Sequence, residues 1–121
     1  MGYVYTITVD RGQDEGTLNY ENGTVSVSTT CWWTHIEKVP AKTYHGCSAT
    51  KMAHKKNSQG QPREGIYLPG AGNGGIFIHM GTGPAWSDGC IVIHEDELLK
   101  IWNSITPKDA GNVVVEVRDV P

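Results

Sequence analysis

A chain of 121 residues has the length of one domain and can bury a single core without metals or disulfides being obligatory. Ten basic against thirteen acidic residues give a net charge of -3 with no block of like charge, which argues against a nucleic-acid footprint or an anionic-membrane patch. No stretch approaches the roughly 20 apolar residues that span a bilayer, so a soluble protein with no membrane span is expected. The first ten residues lack the basic start and apolar core of a secretion signal, so work outside the cytoplasm implies a removed signal or another export route.

Tyr3, Tyr5, Ile7 and Val9 alternate with smaller or polar neighbours, the period of a half-buried strand. Residues 3–9, 17–20 and 24–33 read as three strands, and the Asn22-Gly23 pair between the second and third supplies the positive φ angles of a tight hairpin. Residues 34–75 break into prolines, glycines and a polar Lys/Asn/Gln/Ser stretch. That is long for structureless connection, so short strands are expected near 41–48 and 65–68 with a mobile flap between them. Lys51, Lys55 and Lys56 fall in the flap as solvated charges.

Ile76-Phe77-Ile78 reads as a buried strand with His79 at its end. Gly81 to Gly83 turn the chain, Ser87-Asp88-Gly89 bring it back to Cys90, and Ile91-Val92-Ile93 starts a second buried strand. Leu98, Ile101, Trp102 and Ile105 then recur at helical spacing behind Glu95, Asp96 and Glu97, acids that suit the first turn of a helix, and Pro107 ends it. Residues 112–117 carry three consecutive valines and predict a strand that is interior or covered on both faces. The whole reads as mainly β, a small β-sandwich or twisted sheet with one helix after Cys90.

Two apolar runs thus each deliver one reactive side chain into a Gly-rich connection, His79 from the first and Cys90 into the second. A thiol attacks only as its thiolate, so a histidine held beside a cysteine is an arrangement for nucleophilic catalysis. Gly89 permits close backbone approach, and the amides around it and Cys90 suit a developing oxyanion. The bland alternative is a core thiol and a turn histidine; the glycine-flanked turn and the paired strand ends favour chemistry.

His79, then Ser87-Asp88-Gly89-Cys90-Ile91, then an acidic helix start with Asp96 and apolar Leu99, resembles the L,D-transpeptidase catalytic domain of YkuD type. The resemblance implies a β-sandwich with a cysteine-bearing cleft, Cys90 as nucleophile, His79 as base, no cofactor, and the peptide stems of bacterial peptidoglycan as substrate. Asp88 stands where the motif has histidine, and Val92 where it has Arg or Asn, with a shorter interval from His79 to Cys90. Asp88 orients His79 or binds a substrate ammonium; Arg63 is the candidate replacement for the lost carboxylate partner. The resemblance is to compact members, among them type VI secretion effectors and phage-encoded forms. It therefore implies action in the periplasm or cell wall of a target bacterium and an immunity protein as a further partner.

Other residues carry two readings each. Ser87 bonds either the turn or the histidine. Trp86 walls the substrate groove or caps the core, and Tyr44, with His45, falls where the family places further groove residues. His94, four residues after Cys90, is either an alternative base or a residue at the helix start that its strand neighbours point away from the sulfur. Of three cysteines, the Ser-Asp-Gly setting marks Cys90 as the free one; Cys31 and Cys47 are either a disulfide or two buried thiols. Cys31, His35, His45, Cys47 and His54 lack the paired spacing of a structural zinc site, and no helix follows the glycines at 70–75 to make a phosphate cradle. The expected function is cysteine-dependent acyl transfer on stem peptides: transpeptidation, D-amino-acid exchange or L,D-carboxypeptidase action. Its rivals are a non-catalytic cell-wall-binding or phage structural module, and a thiol peptidase or amidase.

Overall fold

A computed structural model of the chain describes residues 4–34, 38–71, 75–87 and 89–120. The strands are β1 (Tyr5–Arg11), β2 (Gly16–Glu21), β3 (Ser26–Cys31), β4 (Thr43–Lys56), β5 (Pro62–Tyr67), β6 (Phe77–Met80), β7 (Ile91–Ile93) and β8 (Val113–Asp119), with one helix, α1 (Glu95–Ser104), between β7 and β8. They join in the order β3-β2-β1-β8-β4-β5-β6-β7. Past the end of β3, Trp32 and Val92 exchange both backbone hydrogen bonds at 2.9 Å, so the last strand meets the first. The expected mainly β fold with one helix is what forms, and its two layers are the halves of one sheet bent nearly into a barrel.

Strand β4 makes the bend possible because it belongs to both halves. Its first residues pair with β8, its later ones with β5, and the register slips between Tyr44 and Cys47, where Gly46 takes φ 70°, a conformation that costs glycine little. Alternation then fills the interior: Ile7, Val9, Leu18, Ile66, Ile78, Ile91, Val113 and Val115 are buried inside the sheet, and Leu98 and Ile101 bring α1 onto them. At roughly 1.5–3 kcal/mol for each large apolar side chain buried, these residues carry most of the fold's stability.

Three expectations are corrected, and one left open is decided. The predicted flap is strand: β4 runs fourteen residues and forms a hairpin with β5. Its outer residues Ala53 to Lys56 are exposed on both faces, so no apolar alternation marks them. In the β2–β3 connection only Gly23 has positive φ. Asn22 shapes that turn with its side chain, whose oxygen accepts from the N–H groups of Thr24 and Val25. Strand β8 is interior to the sheet, between β1 and β4, as one reading of its valines had it, but it is not covered on both faces: Val113 and Val115 are buried while Val114 is half-exposed. Of the two readings of Cys31 and Cys47, buried free thiols is the one that holds.

Candidate active site

The site lies on the face of β5, β6 and β7 opposite to the Ile66, Ile78 and Ile91 core. Strands β5 and β6 are antiparallel with Gly65 beside His79; β6 and β7 are parallel with His79 beside Val92. Side chains at aligned positions, and at every second residue from them, share a face. Arg63, Gly65 and Tyr67, then Phe77 and His79, then Cys90 and Val92 therefore look the same way. Extending the parallel register sets Cys90 beside Phe77, and the Phe77 N–H donates to its Sγ at 3.4 Å. Imidazole and thiol are diagonal neighbours, one strand across and two residues along.

The histidine's tautomer follows from its other contact. His79 Nδ1 lies 2.8 Å from the Met80 carbonyl oxygen. A carbonyl only accepts, so the neutral ring carries its hydrogen on Nδ1 and its lone pair on Nε2. His79 and Cys90 are 3% and 5% exposed, so they form the floor of the site and not its rim. A backbone donor aimed at sulfur favours negative charge there, against the desolvation that burial imposes on any thiolate.

The connection from β6 to β7 holds the cysteine. A short 3-10 turn, Pro84–Trp86, closes with Trp86 N–H on Gly83 O and Ser87 N–H on Pro84 O. The buried Ser87 hydroxyl donates to the Cys90 carbonyl at 2.6 Å, a bond within the turn. Gly89 takes φ 95°, in the left-handed region that favours glycine. At Gly81 a Cβ would sit 2.5 Å from Val92 and 2.7 Å from Trp86, so only glycine lets the tryptophan fold back over the strand.

Trp86 is 41% exposed with the Arg63 guanidinium 5.6 Å above its ring, and Arg63 Nε donates to the Lys56 carbonyl at 2.9 Å. These two residues meet at the rim. Asp88 lies outside the described residues, as does His35. Tyr44 is not a groove residue: it is 2% exposed in the core of the other half-sheet, its hydroxyl bonded to the Pro40 carbonyl at 2.5 Å. His94 is exposed, directly precedes α1 and meets the edge of Trp32 at 5.1 Å. Positions 90, 92 and 94 share a face by the period of two, so it is about 13 Å of strand, and not alternation, that separates His94 from the sulfur. His45 and His54 are exposed on β4. Among the described residues no group of three or more His, Cys, Asp or Glu side chains gathers as a metal would require, and no helix is long and apolar enough to cross a membrane.

Gly65 and Tyr67 went unnoticed in the sequence. Gly65 faces His79 with no side chain, and Tyr67, 36% exposed, packs on Phe77 at 5.4 Å. Trp86 is the other exposed aromatic on this side of the sheet, and Gly65 is buried against the Phe77 ring, whose Cδ1 would stand 3.1 Å from a Cβ there. Only the strand register brings them together, and no local motif reports it.

The pattern of the L,D-transpeptidase catalytic domain, YkuD, matches residues 4–117. The chain belongs to this family. An L,D-transpeptidase-type catalytic domain thus accounts for nearly its whole length, the amino-terminal hairpin included. Among solved structures it is similar to that of Bdellovibrio bacteriovorus Bd1075, with TM-score 0.62 and 18% identity over 97% of this chain and 48% of that one. At that identity the likeness is one of fold, and the chain spans about half of that protein's length. No curated protein matches the chain.

Proposed function

We propose that this L,D-transpeptidase domain performs cysteine-dependent acyl transfer on peptidoglycan stem peptides, with Cys90 as nucleophile and His79 as base. The observation that carries the reading is the shared face of His79 and Cys90 on adjacent parallel strands, with the Phe77 amide on the sulfur. Nε2 of His79 takes the thiol proton, and Sγ attacks the carbonyl that joins the diamino acid at position three to a terminal D-residue. Negative charge moves onto the carbonyl oxygen, beside the amides at Gly89 and Cys90. The tetrahedral species collapses: the C–N bond breaks, and the leaving D-alanine amine receives the proton from His79. A thioester remains. An amine or water then attacks it, loses its proton to His79, and the thiol is restored.

Which acceptor wins distinguishes cross-linking, D-amino-acid exchange and L,D-carboxypeptidase action. Mass spectrometry of muropeptides incubated with the protein and with Cys90→Ala separates them: dimers, a shifted terminal residue, or loss of D-alanine alone. Identical products from both proteins would refute the assignment. The substrate places the action in the periplasm or cell wall. An antibacterial effector role, with an immunity protein in the producing cell, predicts that periplasmic expression is toxic and that Cys90→Ala abolishes the toxicity.

A further inference from the structure

We propose that Arg63, seated on Trp86, is a specificity-determining residue that reads a free carboxylate on the acyl-donor stem, remote from the bond that is cut. The proposal rests on the acyl-transfer reading and adds which form of the stem is taken. Arg63 is half-buried at the groove rim. Its Nε is committed to the Lys56 carbonyl and its central carbon lies 5.6 Å from the Trp86 ring centre, so the guanidinium is held in position with its two terminal nitrogens left as donors. Among the described residues no carboxylate pairs with it. A cation held in place, with its fork of donors unfilled, is built to receive an anion.

Register sets where that anion sits. Cys90 lies on the Tyr67–Phe77 row two strands from β5, about 10 Å across, and Arg63 is four residues along β5 from Tyr67, about 13 Å at strand spacing, which sets the two backbones about 16 Å apart. Bent onto Trp86, the guanidinium holds a carboxylate on the order of 10 Å from the sulfur. The carboxylate of the leaving D-residue is three bonds from the scissile carbonyl and falls short. The α-carboxylate of a γ-linked glutamate at stem position two is seven bonds away, roughly 9 Å when extended, and fits. Stems amidated at that carboxylate replace an acceptor by a donor facing Arg63 and are disfavoured.

The test uses the full chain carrying Cys90→Ala, titrated calorimetrically with two synthetic stem tetrapeptides, one with γ-linked D-glutamate and one with D-isoglutamine at position two. The acid is expected to bind about tenfold more tightly, as for loss of one charge-assisted hydrogen bond. Adding Arg63→Gln should bring the two within about twofold, and Arg63→Lys should retain part of the difference. Because both peptides are measured on the same protein, a general weakening of the fold cancels in the ratio. An acid-to-amide ratio unchanged by Arg63→Gln, a parent that does not discriminate, or no binding of either peptide overturns the proposal. Discrimination by Arg63 without any Cys90-dependent product would instead retain the groove assignment and remove the catalytic one.

Discussion

Three cysteines in one small domain occupy different electrostatic worlds. Burial pushes the Cys31 thiol up to about 12, against the pull of the Arg11 charge, and the Cys47 thiol up to about 11, against a backbone hydrogen bond from Val115. At pH 8 their thiolate fractions are therefore about 10⁻⁴ and 10⁻³, and neither can attack an electrophile at a useful rate. A backbone amide reaches each of the three sulfurs, from Gly16, Val115 and Phe77, and what sets Cys90 apart among the described residues is a histidine diagonal to it on the adjacent strand. Iodoacetamide at pH 8, read by peptide mass spectrometry, is expected to label Cys90 first and leave Cys31 and Cys47 intact until the protein is unfolded. His79→Ala should slow Cys90 labelling by about tenfold or more. Equal, slow labelling of all three thiols would contradict the assignment of Cys90 as the nucleophile.

Between elements, what the sequence discloses depends on whether a pattern has one face or two. The helix after Cys90 was legible because Leu98 and Ile101 recur on one side behind three acids, and the amino-terminal strands because one face is apolar. The outer half of β4 was not legible, since a hairpin with solvent on both sides carries no such code, and the partners of His79 were hidden because pairing to Gly65 is a property of register. That pairing yields a contrast between two glycines. An alanine at 81 would place Cβ against Val92 and Trp86 at 2.5 and 2.7 Å, and the neighbours must move, at a cost of about 1–3 kcal/mol. At Gly65 the nearest atom is Cδ1 of the half-exposed Phe77 ring, at 3.1 Å, which can yield. Gly81→Ala is expected to lower Tm by several degrees and activity with it. Gly65→Ala should keep Tm within about 2 °C and lose turnover, because its methyl group stands beside His79 on the face that carries Cys90. Thermal unfolding and muropeptide turnover on the two variants check this, and full activity in Gly65→Ala would show that substrate does not lie there.

At the scale of the whole molecule, the sheet comes round on itself only if β8, last in the chain, inserts between β1 and β4, and that insertion is held by charge as well as by valines. Arg11 is 1% exposed, lies 5.7 Å from the Trp33 ring centre and donates from Nε to Asp119 at 2.9 Å, with Lys38 on the same carboxylate oxygen at 3.3 Å. Partial desolvation pushes the Asp119 carboxyl up, but the hydrogen bond and charge of Arg11, and then of Lys38, outweigh it and hold the group below its usual range. A carboxyl depressed in the folded state stabilises it fully above the unfolded value near 4, and that stabilisation is lost as pH falls through the folded value. Asp119 is half exposed, so screening by water and salt keeps its effect small; the buried Arg11 it leaves behind makes its loss felt. Asp119→Asn is expected to lower Tm at pH 7, and to narrow the fall in Tm between pH 7 and pH 3 relative to the parent, with 0.5 M salt reducing the difference between the two proteins. If the two acid limbs run parallel, the Arg11–Asp119 pair does not anchor the closing strand, and β8 is held by apolar packing against β1 and β4 alone.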